Sequence, residues 1–389
     1  MRRQVQMARG DDTIPYDREL IRSGGTRSRD QRRHASAQPP PRRRSRGARR
    51  PRSYLRTLRN VLLLALILLV VGGVLLGMRA AAFNATVTDT PFVSTALFGP
   101  LNGSDRVNVM MVGYAGGEHG GAYLADSIQL LSIDPQTDTT TTVPVPRDLW
   151  IEGIASFSQN GKINEVFSIG HLQNGSIDEG AEALAEVVTA VTGLQVDHWI
   201  TIDFQGFRDM VDAVGGVTVD NPTAFCWTTI ERLHQQGRWE TGCFEQGRIS
   251  LDGKSALQYA RARYTSDVSE STDFARSVRQ ARIIAALRGT IGEGGVGSIG
   301  PGLGLMDAME GRVRTDLSVI DLFLLSSHLS SDRRLELSEG PVLTATTNTL
   351  GQYILIPTGW TGPGDYGTIR TFLETELAQP VTPPASDAP

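Results

Sequence analysis

Residues 258–280 read QYARARYTSDVSESTDFARSVRQ, with Arg261 and Arg263 two apart and then Asp273, Arg276, Arg279 and Gln280. Residues two apart on a strand share a face, so a strand over Leu257–Tyr264 sets Arg261 and Arg263 side by side. Ser271 or Thr272 reads as the N-cap of a following helix whose apolar face holds Ile283, Ile284 and Leu287. On that helix Asp273, Arg276 and Gln280 share a side, with Arg279 close by. A strand and a helix joined by a short loop then bring three or four guanidiniums together. Like charges repel, so such a cluster calls for an anion, and guanidinium forks suit phosphate oxygens. The alternative is that these arginines pair with Glu270, Asp273 and other surface carboxylates, because charge runs are usually solvated faces.

The chain has 389 residues, enough for two average domains or one large domain with appendages. Its net charge of −4 hides a division: up to Asn60 there are 18 arginines, no lysine and five acidic residues, a balance of +13, and the remainder carries −17. An acidic domain that still gathers arginines in one short stretch makes an anion site a better reading than composition alone would. Residues 1–60 are rich in Arg, Ser, Gly and Pro without apolar periodicity, which predicts a disordered basic tail.

Val61–Met78, VLLLALILLVVGGVLLGM, is an uncharged run of 18 residues, and Ala80–Phe83 can lengthen it. It has no polar face, which argues against a buried core helix. Arginines 49, 50, 52, 56 and 59 precede it and only Arg79 follows closely, so the positive-inside rule sets the N-terminus in the cytoplasm and the rest outside. The expected organisation is a cytoplasmic tail over 1–60, a single-pass anchor in the cell membrane over 61–80 and a linker over 81–105. One extracytoplasmic domain follows over 106–378, with a flexible tail over 379–389. Cys226 and Cys243, the two cysteines, then lie in an oxidising compartment and read as a disulfide.

In the domain, Val107–Val112 is a strand candidate, followed by a glycine-rich loop over Gly113–Gly121 that contains Glu118. Ser127–Ile133 and Thr139–Val145, joined by DPQTD, read as a hairpin. Pro144 and Pro146 end its second strand and deliver Arg147 and Asp148. Lys162 follows in GKINEVF. Asp178–Thr192 is an amphipathic helix and His198–Ile202 a strand. Asp203 reads as the cap of a helix over Gln205–Val214, stopped by Gly215-Gly216, and Val217–Val219 is again a strand. Val296–Gly304 reads as glycine-rich loop, Asp316–Leu329 as a helix, Tyr353–Ile356 as a strand and Thr368–Leu377 as a last helix. Strands alternating with helices argue for an α/β sheet layered with helices.

An anchor followed in order by VNVMMVG, ADSIQLLSIDPQT, VPRDLWI, GKINEVF, TIDFQGFRDMVDAVGGVTVD, LDGKSALQYARAR and DFARSVRQ resembles the LytR-CpsA-Psr family. The resemblance implies a three-layer α/β/α domain with a central mixed sheet. It implies transfer of a polyprenyl-pyrophosphate-linked glycan onto peptidoglycan, with the lipid tail in an apolar pocket and the pyrophosphate held by arginines and Mg2+ or Mn2+. Cleavage of the pyrophosphate by water is an expected side activity. Carried over by position, Asp126 is the metal ligand and Arg147, Arg261, Arg263 and Arg276 hold the pyrophosphate. Asp273 joins the catalytic set, and Lys162, Arg279 and Gln280 stand behind it. Ala115 and Leu124 depart from the family pattern, which often has Asp and Arg there. The first departure thins the metal site, with Glu118 the nearest replacement, and the second thins the arginine cluster.

Two other functions compete. A non-catalytic binder or sensor of the same lipids needs the cluster but no turnover. A nucleic-acid-binding regulator would use the basic tail, but the tail precedes an anchor and lacks a helix-turn-helix pattern. Attraction to the anionic inner leaflet of the bilayer explains it more simply, so no nucleic acid is expected as a partner.

Overall fold

The structure is a computed structural model that describes residues 52–92, 106–137, 139–229, 240–294, 299–326 and 333–380. Most of the expected basic tail, linker residues 93–105, the end of the expected Asp316–Leu329 helix and residues 381–389 lie outside it. The chain divides into two compact units, residues 1–63 and 64–389.

Helix α1 spans Arg52–Val87 and contains the one stretch among the described residues long and apolar enough to cross a membrane. It runs past the expected end of the anchor. Arg79–Val87, RAAAFNATV, has no glycine or proline to stop it. Phe83, Asn84, Val87 and Thr88 are buried, so the first part of the expected linker belongs to the domain.

The strands in order are β1 (Val107–Tyr114), β2 (Ala125–Asp134), β3 (Thr139–Pro144), β4 (Trp150–Ile151) and β5 (Gly161–Lys162). Helices α2 (Ile163–Asn174) and α3 (Ile177–Thr192) follow, then β6 (His198–Asp203) and α4 (Phe204–Ala213). Next come β7 (Val217–Asn221), β8 (Phe225–Thr228), β9 (Thr241–Phe244) and β10 (Gly247–Leu251). Then come α5 (Gly253–Arg261), β11 (Tyr264–Thr265), α6 (Asp273–Gly294), α7 (Ile299–Met309), β12 (Val313–Thr315) and α8 (Val319–Ser326). The chain closes with β13 (Arg333–Arg334), β14 (Leu343–Thr347), β15 (Tyr353–Pro357) and α9 (Gly367–Leu377).

The central sheet has six strands in the order β12-β6-β1-β2-β3-β13. It is mixed: β1 pairs antiparallel with β2 and parallel with β6, and β3 pairs parallel with β13. Alternation along β1 sorts the layers. Met110 and Val112 face one core with Phe167, Leu184, Val188 and Leu373, from α2, α3 and α9. Val109 and Met111 face the other side, with Ile200, Leu317 and Leu325. The α2–α3 pair is tight because a Cβ on Gly180 would stand 2.6 Å from the Phe167 carbonyl oxygen. The hairpin turn between β2 and β3 is held by Asp134, whose Oδ1 accepts from Gln136 N at 2.9 Å. The expected disulfide is present: Cys226 on β8 and Cys243 on β9 pair across an antiparallel register and are bonded.

Three expectations are corrected. Leu257–Tyr264 is not a strand; most of it belongs to α5, capped by Asp252, which accepts from Ser255 N at 2.7 Å. Its buried residues Ala256, Tyr259 and Ala260 repeat at helical spacing, a period masked by the alternating Arg-x-Arg. Val296–Gly304 is not all loop, because α7 begins at Ile299; Leu303 and Met306 repeat at helical spacing through the glycines. The helix expected from Asp316 starts later, at Val319. Ser318 caps it, with reciprocal hydrogen bonds to Asp321.

Candidate active site

The site forms where β2, the segment after β3, the end of α5 and the start of α6 converge. Gly113 pairs with Ser127 and Tyr114 with Ala125, so Asp126 is the extra residue of a bulge in β2. A bulge re-aims its side chain, here toward the arginines. Arg147 leaves β3 through Val145-Pro146, and its Nη1 donates to Asp126 Oδ1 at 2.7 Å. Thr272 caps α6, accepting from Ala275 N at 3.0 Å. Asp273, Arg276 and Gln280 then fall on one stripe of that helix, as the spacing predicts.

Asp273 is shared by three guanidiniums: Arg276 at 3.1 Å, Arg263 at 3.4 Å and Arg147 at 3.9 Å. Arg261, at the end of α5, lays its guanidinium over the Phe204 ring, 4.2 Å from the centroid. Arg276 is buried, and that burial, with Arg147 nearby, pushes its pKa down to about 10. Burial works against the charge of Arg147 too, but Asp126, Asp148 and Asp273 outweigh it and hold its pKa above the usual value. Gln280 Oε1 accepts from Ser127 Oγ at 2.9 Å.

Two recesses meet here. One is an apolar cavity of about 1290 Å³ that runs from the arginines between the sheet and helices α1, α4, α6 and α7. The other is a smaller polar recess of about 290 Å³, with Glu339 and Tyr353 on its wall. Asp126, Arg147, Arg263, Arg276 and Gln280 line both. Arg261 lines the apolar cavity and Asp273 the polar recess.

Two expected residues stand elsewhere. Arg279 is fully buried on the other side of α6, ion-paired with Glu270 and donating to the carbonyls of Tyr259, Glu270 and Ala262. It ties α5 to α6 and lines neither recess. Lys162 pairs with Asp148, which in turn lies 3.5 Å from Arg147 Nε, so it braces the cluster from behind. Burial raises the pKa of Asp148, but the hydrogen bonds with Lys162 and Asp273 and the charges of Arg147 and Lys162 together outweigh it, and the net shift is downward. Ser127 and Gln129 were not singled out from the sequence, although polar residues alternating with Ile128 and Leu130 in a buried strand were the available signal.

The donor set bears on a metal. Among the described residues no three His, Cys, Asp or Glu groups gather as a cation site. Glu118 is exposed and lines neither recess. Asp126 is the carboxylate common to both recesses, and magnesium is often held by one or two carboxylates plus substrate phosphates. The residues present therefore fit a cation that takes most of its ligands from a bound phosphate.

The model of the LytR_cpsA_psr family matches residues 79–357. The chain belongs to this family. Relatives within it include the polyisoprenyl-teichoic acid–peptidoglycan teichoic acid transferase TagU of Halalkalibacterium halodurans, 28% identical over 229 residues. That match covers 59% of this chain and 66% of the relative, just under two thirds. TagU of Bacillus subtilis is 27% identical over 235 residues, 60% of this chain and 67% of the relative. Among solved structures, protein gbs0355 of Streptococcus agalactiae superposes with a TM-score of 0.54 at 22% identity, over 74% of this chain and 92% of that one. B. subtilis TagV gives 0.52 at 22% identity, over 72% and 100%. The LytR-CpsA-Psr fold, three layers around a mixed sheet, is the fold of this chain.

Proposed function

We propose that the protein is a membrane-anchored phosphotransferase that moves a glycan from a polyprenyl pyrophosphate onto peptidoglycan. The observation that carries this is the charge balance at the junction of the two recesses. The charged residues that line both recesses are Arg147, Arg263, Arg276 and one carboxylate, Asp126, an excess of two positive charges beside a long apolar cavity. A pyrophosphate diester carries two negative charges and, on a polyprenyl carrier, an apolar tail. The names of the TagU relatives join polyisoprenyl, teichoic acid and peptidoglycan in one transfer, which supports the same reading.

In this reading the tail occupies the cavity and the guanidiniums grip the phosphate oxygens. A sugar hydroxyl of peptidoglycan enters through the polar recess and attacks the phosphorus that bears the glycan. The bond to the lipid phosphate breaks, a phosphodiester forms, and the lipid leaves as a monophosphate. The hydroxyl proton passes to a base at the mouth, with Asp273 the carboxylate in place. The positioned arginines stabilise charge on the transferring and leaving oxygens, the main requirement of phosphoryl transfer. Mg2+ or Mn2+, held by Asp126 and the phosphates, would add to that stabilisation. Water in place of the sugar gives the pyrophosphatase side activity.

The arginine-rich side of the apolar run sets the N-terminal tail in the cytoplasm and the domain outside, and a formed disulfide fits an oxidising compartment. The test is release of lipid monophosphate and labelling of peptidoglycan by the purified full chain, with Arg263→Ala as control. Full activity in that variant refutes the site. A second reading, a binder or sensor without turnover, is favoured by the engagement of both cluster carboxylates in ion pairs with arginine. Tight binding of the lipid without monophosphate release decides for it.

A further inference from the structure

We propose that the membrane anchor is itself a wall of the lipid cavity, and that the polyprenyl tail enters sideways from the outer leaflet through the seam between α1 and α7. This rests on the lipid substrate proposed above.

At 1.5 Å per residue, the apolar run Val61–Met78 is roughly 27 Å long, close to the thickness of a bilayer's hydrocarbon core. The helix does not stop where the run does. It continues to Val87, and its last turns are built into the domain. Phe83 and Val87 pack with Val313, Met306 and Met309. Asn84 Oδ1 accepts from Val319 N at 2.9 Å and its Nδ2 donates to the Thr90 carbonyl at 2.8 Å. Arg79 pairs with Asp307 on α7 and with Glu310 just after it. The outer part of α1 is therefore fixed to the domain and not tethered to it by a swivel.

Leu76, Ala80 and Phe83 are spaced four and three apart, one stripe of α1, and all three line the apolar cavity. Leu303, Met306 and Met309 line it from α7. Leu76 lies inside the apolar run and is 39% exposed, while its neighbour Leu75, on another face, is 60% exposed. The cavity thus extends to hydrocarbon depth at one end and reaches the arginines at the other. A polyprenyl lipid resting in the outer leaflet can slide its tail along this stripe and bring its pyrophosphate to the cluster without exposing the tail to water.

The test uses the full chain in vesicles of phospholipid doped with a long-chain polyprenyl pyrophosphate. A benzophenone amino acid is placed at Leu76 or Ala80, on the cavity stripe, or at Leu75 as the off-stripe control. The expected result is polyprenyl adducts at 76 and 80 and only phospholipid adducts at 75. Phospholipid adducts alone at all three positions overturn the portal. The readout needs no turnover, so it stands apart from the transfer assay, whose failure would instead overturn the proposed function. Ala80→Trp, which fills the wall, should lower transfer from the long-chain donor by about tenfold or more. With a short, water-soluble prenyl donor, whose tail does not need the length of the stripe, the loss should be markedly smaller than with the long-chain donor. Equal loss with both donors, or no loss with either, contradicts the portal.

Discussion

Replacing Arg276 with methionine separates a binding role from a structural one. Arg276 is 7% exposed and has Asp273 as its carboxylate partner, with Arg147 and Arg263 close by as like charges. Its pKa falls from the ordinary arginine range to about 10. At about 1.4 kcal/mol per pKa unit, holding this charge costs the empty fold on the order of 3 kcal/mol. Because the folded pKa is depressed, that cost is fully present at neutral pH and fades only as the pH climbs through 10. Methionine keeps an apolar stem in place and leaves Asp273 with Arg263 and Arg147, so the empty variant should unfold at the same temperature as the parent or higher. Its hold on an anion should weaken, because a hydrogen bond to a charged group is worth about 1.5–3 kcal/mol, or about 10- to 150-fold in affinity. The assay is thermal unfolding of the detergent-solubilised full chain with inorganic pyrophosphate titrated in. At a concentration about 100 times its Kd the anion stabilises the parent by about 2.7 kcal/mol, and a variant that binds about 30-fold more weakly gains under about 1 kcal/mol. A variant that unfolds well below the parent without anion, yet keeps the full pyrophosphate shift, refutes the reasoning and makes Arg276 a structural residue.

Arg279→Met should behave in the opposite way, because breaking a buried ion pair costs about 3–5 kcal/mol; the urea midpoint should drop while the molecules still folded bind pyrophosphate as before. Stability should also depend on pH through His198. Burial lowers its pKa, but the hydrogen bond and charge of Asp316 outweigh that, so the folded value is raised and the contribution is full below about 6.5 and lost as pH rises through the folded pKa. His198→Asn should flatten that stretch of the stability profile, and an unchanged profile counts against the pair. Calorimetry with manganese should show weak binding to the empty chain, stronger binding with pyrophosphate present by the same factor that the metal strengthens pyrophosphate, and neither in Asp126→Asn. Tight binding to the empty chain would show a second carboxylate at work.

Much of the site was legible because it rests on local periodicity. Asp273, Arg276 and Gln280 share one helical stripe, and a helix from Thr272 puts them together wherever the rest of the chain goes. The double proline at Pro144 and Pro146 delivers Arg147 as read. Arg279 was misplaced for a reason the spacing cannot resolve. One residue short of Gln280, it lies about 100° round the helix, and only the packed neighbours Glu270 and Tyr259 show that it faces inward. Arg261 and Arg263 do come to the site, but from the end of a helix and the turn beyond it, because alternation of two arginines carries less weight than the buried face of Ala256, Tyr259 and Ala260. The bulge that turns Asp126 inward depends on the register of β1 against β2, a long-range property with no local signature in either strand.

The unbroken course of α1 sets a working height. Val87 stands nine positions beyond the end of the apolar run at Met78, a rise of roughly 13 Å along one helix. Under the proposed function and orientation, a mouth carried on so short a stem, held by Asn84 and Arg79, would stay within its own domain's reach of the bilayer surface. Under the proposed orientation it has no arm with which to search the wall. Acceptor strands would then have to be met while they still lie close to the membrane, which would tie the proposed transfer to where new strands are made and not to where old ones accumulate.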